Sequence, residues 1–492
     1  MSIPLKDREG GLVRQESSST HSDSTVTTGC DNSSTTTDST SPFIQTKSQS
    51  TIAYAQIVAL AWTLFLSGWN DGTIGPLLPK IKAVYHLSDT VVSLVFVFAC
   101  LGSICGACLN VPLSGRLRFG KVLVLGMMLG LCHTTVGPHF PSGSLLQIIA
   151  YALQSTAPPF PVFVMADAIN SAGIALLEAQ ASSFVATLQK RPEAKMGLLH
   201  AFFGLGAFLA PIVATQFAQM EGRWGWSFYF LISLGLGVVN GVLLAVVFRF
   251  ESHDYCLEQI GQLNGQDCSS SLVGSFKEIF SHRDVQRMGC FLFVYVGLEA
   301  TIPGWMVTFV KRKRHGGAHA GYVASGFFGG LGLGTVALLW LNALVSEHYA
   351  VFIYTALAIG LEFIVWFVPS LVGNAVAIFI IGFLLGPIYP ITMNHAGRTL
   401  PRWMLAGSMG WMSGLGQAGS AIFPLVAGVL AERRGIMTLQ PLLVFMMIAM
   451  AILWGVNVAG RSSEDQKRAG GSEGVQSSHR GGSNLGRPTR FM

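Results

Sequence analysis

The stretch Val91–Leu109 reads VVSLVFVFACLGSICGACL, and Leu442–Val456 reads LLVFMMIAMAILWGV. A strand of a membrane barrel would alternate apolar and polar residues. These runs are apolar on nearly every side, as a helix facing lipid or the middle of a bundle must be. Comparable runs continue from about residue 52 to 459. The 492 residues are 51% hydrophobic and 11% charged, with a mean hydropathy of +0.51, whereas a soluble domain carries roughly 25% charged residues. A soluble globular protein is excluded, and at about 20 apolar residues per crossing there is room for roughly a dozen helices. The expected fold is an all-α membrane protein of twelve transmembrane helices in two six-helix bundles.

The crossings fall near residues 52–75, 88–111, 121–156 (interrupted), 158–187, 196–219 and 225–249, then 288–310, 321–342, 348–368, 371–397, 404–431 and 439–459. Residues 17–50 hold 20 Ser or Thr and too little apolar surface to fold. Residues 1–50 are therefore expected to be a disordered tail and 51–250 the first bundle. Residues 251–286 form a central loop, 287–460 the second bundle, and the Gly, Ser and Arg-rich 461–492 a second tail. No apolar stretch precedes Thr51, so the first crossing is expected to direct its own insertion. Lys and Arg number ten in the tails, twelve in the central and even-numbered loops and nine in the odd-numbered loops, which predicts cytoplasmic termini. Lys311, Arg312, Lys313 and Arg314 dissent, because they fall on the opposite side.

The net charge of +6 is scattered, unlike the single basic face of a nucleic-acid binder, and no nucleic acid partner is expected. Cys105 and Cys108 form a CxxC inside a membrane run, with neither a second pair nor a histidine nearby. Packing is the reading there, and no metal or cofactor is expected. Gly115 to Val122 has GxxxxGK spacing, but Val122 replaces the magnesium-binding hydroxyl and no strand precedes the glycines. No hydrolase motif appears either, so the chain is not read as an enzyme.

An ionised side chain at the centre of a membrane helix costs roughly 2.5 to 3.5 kcal/mol on insertion scales, so each intramembrane acid needs a reason. Five stand out: Asp71, Asp167, Glu178, Glu299 and Glu362. A carboxyl that is neutral in a dry conformation and charged in a wet one has the property that proton coupling requires. Asp167, Asn170, Ser171, Glu178 and Ser182 share one face of the fourth helix. For the amide and hydroxyls, hydrogen bonding between helices is the plainer role; for Glu178, chemistry is. Asp71 precedes Gly75-Pro76 and Pro79, which loosen the end of the first helix. Glu299 precedes Pro303 in the same way, and Glu362 lies on a peripheral helix where a structural role is expected. Tyr389 and Asn394, near Pro387 and Pro390, and Trp411 and Gln417, among the glycines of the eleventh helix, complete the candidate solute contacts with Asn70, Asn170 and Gln180. His200 is read as a solvated helix-end residue. A faint repeat relates Gly68–Gly75 (GWNDGTIG) to Gly297–Gly304 (GLEATIPG), where a six-plus-six architecture places equivalent helices.

These residues resemble the major facilitator superfamily of secondary transporters over about residues 52–459. Asn70-Asp71 and the run Gly173–Phe184 (GIALLEAQASSF) are similar to the fucose–proton symporter branch. The resemblance implies proton coupling at Asp71 and Glu178 and import, with protons as the partner; the candidate lining, rich in carboxyl, amide and hydroxyl groups with few fixed cations, points to a sugar or other small polar solute, and a monomer in the bilayer is expected. Trp69–Pro79, Gly321–Gly330 and Pro401–Pro424 resemble a fungal group of such carriers, which implies a fungal source and a plasma or vacuolar membrane. An exporter of drugs or metabolites, and a non-transporting nutrient sensor, are the alternatives. Three places depart from the family pattern. Gly115 replaces the acidic residue before Arg116 in the cytoplasmic gate, where Arg116 and Lys121 are the gating candidates. Thr335 stands where a basic residue is expected after Leu333-Gly334. His133–Ser144 interrupts the third crossing and reads as an insertion of the kind a retained intron leaves.

Overall fold

A computed structural model describes residues 46–116, 142–188, 192–222, 224–249, 251, 253–261, 278–344, 347–400 and 402–458. The chain divides into a short unit, Met1–Ile44, outside those residues, and a body, Gln45–Met492. In the body the first half supplies α1 (Lys47–Tyr85), α2 (Leu94–Arg116), α3 (Ser142–Ser155), α4 (Phe160–Ala186), α5 (Pro192–Gln219) and α6 (Tyr229–Phe248). The second supplies α7 (Arg283–Lys313), α8 (Tyr322–Leu344) and α9 (Glu347–Phe367), then α10 (Leu371–Thr399), bent between Leu385 and Ile388, and finally α11 (Arg402–Arg434) and α12 (Ile436–Val458). Among the described residues 11 helices are long and apolar enough to cross a membrane. The third crossing is represented by the 14 residues of α3. Of the His133–Ser144 interruption only Ser142–Ser144 are described, and they already belong to α3.

The sequence repeat appears in the packing. α1 packs on α5 as α7 does on α11, α2 on α4 as α8 on α10, and α3 on α4 as α9 on α10. The halves join through α2 with α11, α5 with α8, and α1 with α7. At the last junction Gly75 lies against the Pro303 carbonyl, leaving no room for a side chain, and Pro303 adjoins the residue that matches Gly75 in the repeat.

Two boundaries differ from those expected. α1 starts at Lys47 because Thr46 and Gln49 form a reciprocal capping box, a T-x-x-Q signal lying within the segment read as a tail. It then runs through Pro76 and Pro79 to Tyr85 instead of stopping near Gly75, and ends where His86 turns left-handed at φ 52°. A proline removes one backbone N–H bond without ending a helix that neighbours hold in place. Here α5 packs against Gly72 and α7 against Gly75, next to the prolines.

The dissenting basic loop is taken up by tertiary contacts at the end of the body opposite residues 46 and 458, here called the distal end. Arg312 grips Asp89 with both nitrogens, at 2.7 and 2.8 Å, and Lys82 reaches the same carboxylate at 2.5 Å. Arg314 donates to the carbonyls of Val365 and Trp366 at 2.9 and 3.0 Å. Glu432 accepts from the Thr90 N–H at 2.9 Å, and Gln219 donates to Ala318 O at 3.1 Å. Apart from the Arg314 bonds and the Lys82 pair, these contacts tie one bundle to the other.

Candidate functional site

Four of the five acids read from the sequence, Asp71, Asp167, Glu178 and Glu299, come together between the helices. Asp71 is exposed although it stands in the middle of α1, whereas Asn170 and Gln180 are buried, and Asn70, Glu178, Glu299 and Tyr389 are partly buried. Asp71 lies beside Asn70 and within electrostatic reach of Glu178, Glu299 and Asp167. Tyr389 is within reach of Glu299 and Glu178, and Tyr295, whose hydroxyl donates to Leu385 O at 3.2 Å, is within reach of Glu299. Groups from α1, α4, α7 and α10 thus face one polar region shared by both bundles. Among the described residues none of these acids has an ion-pair partner.

Each acid is positioned from its own or a neighbouring helix. Ser67, one turn before Asp71, donates its hydroxyl to Glu178, so α1 carries one acid and orients another. Asn170 donates to Asn70 Oδ1 at 2.6 Å. Behind them, Trp69 donates to Ser233 at 3.0 Å and Thr73 shares a 2.7 Å bond with Tyr229, which locks the outer face of α1 onto α6. Gly68 and Gly72 bring α1 so close to the backbone of α5 that a Cβ would collide. The acids therefore sit on a firmly held helix, not on a loop.

The other candidates spread over the second bundle. Tyr389 and Ser413 share a 3.2 Å bond between α10 and α11, and Gln417 and Asn394 are exposed. Trp411 donates to Gln286 Oε1 at 3.2 Å and packs edge-on against Phe280, with ring centroids 4.4 Å apart, so it is attached to the end of the central segment. Trp305 lies in the core and donates to Pro424 O at 2.9 Å. Glu362 is buried on α9 with neither carboxyl oxygen hydrogen-bonded. On α11, Gly416 and Gly419 pack against α7, while Gly410 and Gly414 face open space. Arg116 is the last residue of α2, and Lys121 lies outside the described residues. Thr335 donates to Leu331 O at 2.8 Å on its own helix. His200 is exposed.

Sequence reasoning passed over Ser67 and Tyr295. Each lies four residues before a flagged acid, and that spacing was the available signal.

Comparison with known proteins identifies the fold. Residues 60–424 match the model of the Major Facilitator Superfamily. The chain belongs to this family. It is an integral membrane protein with a transporter fold. The Saccharomyces cerevisiae protein named "Bypass of stop codon protein 6" is 25% identical over 427 residues, which cover 81% of each chain. A crystal structure of a D-xylose-proton symporter superposes with a TM-score of 0.65 at 11% identity, covering 82% of this chain and 97% of the other. The E. coli fucose:proton symporter gives 0.56 at 16% identity, covering 84% and 99%.

Proposed function

We propose that this protein is a proton-coupled symporter that imports a sugar or other small polar solute by alternating access. The observation that carries the reading is the cluster of Asp71, Glu178 and Glu299 with Tyr389 at the junction of the bundles, free of ion-pairing cations among the described residues. A lining of carboxyl, amide and hydroxyl groups suits a neutral polyhydroxylated solute. Carboxyls at membrane depth that no cation neutralises suit a proton, because loading one removes the cost of moving the charge.

In the proposed cycle a proton from outside settles on Asp71 or Glu178. Asn70, Asn170, Gln180, Glu299, Tyr389, Asn394, Trp411 and Gln417 are the solute contacts assigned to the cavity. With the termini in the cytoplasm, as the Lys and Arg count favours, the distal clasp closes the outer side and Asp71 is reached from within. The solute and proton then leave inward. Arg116 and Lys121 are assigned to the cytoplasmic gate, and the membrane to the cell surface or vacuole. The symporters of similar fold, named for D-xylose and fucose, support the substrate class.

Counterflow separates solute movement from coupling. In proteoliposomes preloaded with unlabelled sugars, polyols or nucleosides, one labelled solute is expected to exchange. Asp71→Asn should retain exchange within about threefold while gradient-driven accumulation drops at least about tenfold. Loss of both to the same degree would assign Asp71 to solute binding instead.

A further inference from the structure

One polar region lies outside the proposed cycle. α3 carries Gln147, Tyr151 and Gln154 on one face, by their helical spacing, and α4 carries Asp167, Asn170 and Ser171. All six are at most 4% exposed. Between side chains, Gln154 Nε2 donates to Asp167 Oδ1 at 3.4 Å and Asn170 Nδ2 to Asn70 Oδ1 at 2.6 Å, and Asn170 also lies beside the Tyr151 hydroxyl. Gln147 Oε1, Tyr151 OH, Gln154 Oε1 and Asn170 Oδ1 have no partner. Four unmet polar atoms along one seam are costly, and a polar site of this kind is where proteins bury ordered water.

The region adjoins the polar centre formed by Asp71, Glu178 and Glu299. Asp167 and Tyr151 both lie within electrostatic reach of Asp71, and Asn170 is bonded to its neighbour Asn70. The titratable groups around Asp167 are Asp71 on α1, Tyr151 on α3 and, beyond Tyr151, Tyr229 on α6. On the α2 side the contact is made by Gly102 and Gly106 against Ala168 and Ala172.

We propose that the α3–α4 seam is an internal hydrated pocket opening onto Asp71, and that Asp167 is a third proton-carrying carboxyl. Asp167 gives its proton to the bound water while that water, with the Tyr151 hydroxyl, passes another to the Asp71 carboxylate. The pair keeps its total charge, and the proton changes owner without crossing hydrocarbon. The destination of the proton rests on the symport reading; the hydration does not.

Both parts are tested on ligand-free protein in nanodiscs, so neither depends on transport. Radiolytic hydroxyl-radical footprinting of the parent chain, read by peptide mass spectrometry, reports water held beside buried rings. Tyr151 is expected to oxidise at least about tenfold faster than Trp305, which is equally buried and packed in the core. Equal protection of the two would mean a dry seam and would overturn the proposal. Infrared difference spectra titrated from about pH 5 to 9 are then expected to contain a protonated-carboxyl band that Asp167→Asn removes and Asp71→Asn displaces. Spectra unchanged by Asp167→Asn would refute the proton role even with a wet seam. The coupling reading fails separately, if Asp71→Asn and Glu178→Gln leave proton-driven uptake intact.

Discussion

Asp71 and Glu178 were conspicuous in the sequence because an acid in an apolar run has few innocent explanations. Ser67 and Tyr295 were not, because hydroxyls are common in membrane helices and only a partner on another helix gives them meaning. Two tests belong at this scale. A methyl on Gly75 meets the Pro303 carbonyl across the bundles, whereas one on Gly68 meets the Phe203 carbonyl within a bundle. Gly75→Val is therefore expected to hinder distal closure, and Gly68→Val to lower thermal stability in every conformation, by about 1–3 kcal/mol. Accessibility labelling beside a melting curve separates them, and equal effects of both substitutions on labelling would contradict the assignment. The second test concerns Cys256, on the short helix His253–Gln259 after α6. Burial, with Glu251 nearby, pushes its thiol up to about 11 from 9.0. Because the thiolate is the reactive form, maleimide labelling near neutral pH should be about a hundredfold slower than for an ordinary thiol. The rate should rise tenfold per pH unit until it levels near 11. A plateau near 9 would mean the thiol is not held in the site seen here, where Gln56 bonds to its carbonyl.

At the scale of elements, hydropathy identified the helices, but their ends depended on signals of another kind. Thr46-x-x-Gln49 starts α1 and His86 in the left-handed region stops it, whereas the prolines that looked like terminators lie inside. Similarly, the Lys311–Arg314 cluster weakened the topology count, and its place in the fold supplies the reason: Arg312 and Arg314 are engaged by Asp89 and by carbonyls at the end of α9. Charges recruited to a clasp no longer report which side of the membrane they occupy. Arg312→Gln should loosen the distal end while leaving Lys82 on Asp89, at a cost of about 1–2 kcal/mol given the partial exposure of Arg312. Thr215 is buried against Gly321 where α5 meets α8. A cysteine placed there by Thr215→Cys should react with an impermeant thiol reagent several times faster in the Arg312→Gln background. An unchanged rate would mean that the apolar α5–α8 and α1–α7 contacts hold the end shut without the ion pair.

For the whole molecule, the pairing of α1 with α5 and α7 with α11, and of α2 with α4 and α8 with α10, makes the two halves repeats of one design. Of that design only a short Gly, acid, Thr-Ile and Gly pattern was visible in the chain, because packing constrains residue size and spacing more than identity. The acids follow the repeat only in part: Asp71 and Glu299 correspond, whereas Asp167 and Glu178 on α4 have no counterpart in the polar centre of the second half. On the proposed symport, that asymmetry assigns proton handling to the first bundle and leaves the second to complete the solute site with Tyr389 and its neighbours. The most direct measurement is solute-induced proton uptake into proteoliposomes carrying an interior pH dye, with sugars and polyols added outside and Asp71→Asn and Glu178→Gln run beside the parent. Proton-coupled symport requires that one solute acidify the interior of parent vesicles and that both substitutions abolish the signal. A solute that enters without moving protons, or proton entry that survives both substitutions, would contradict it.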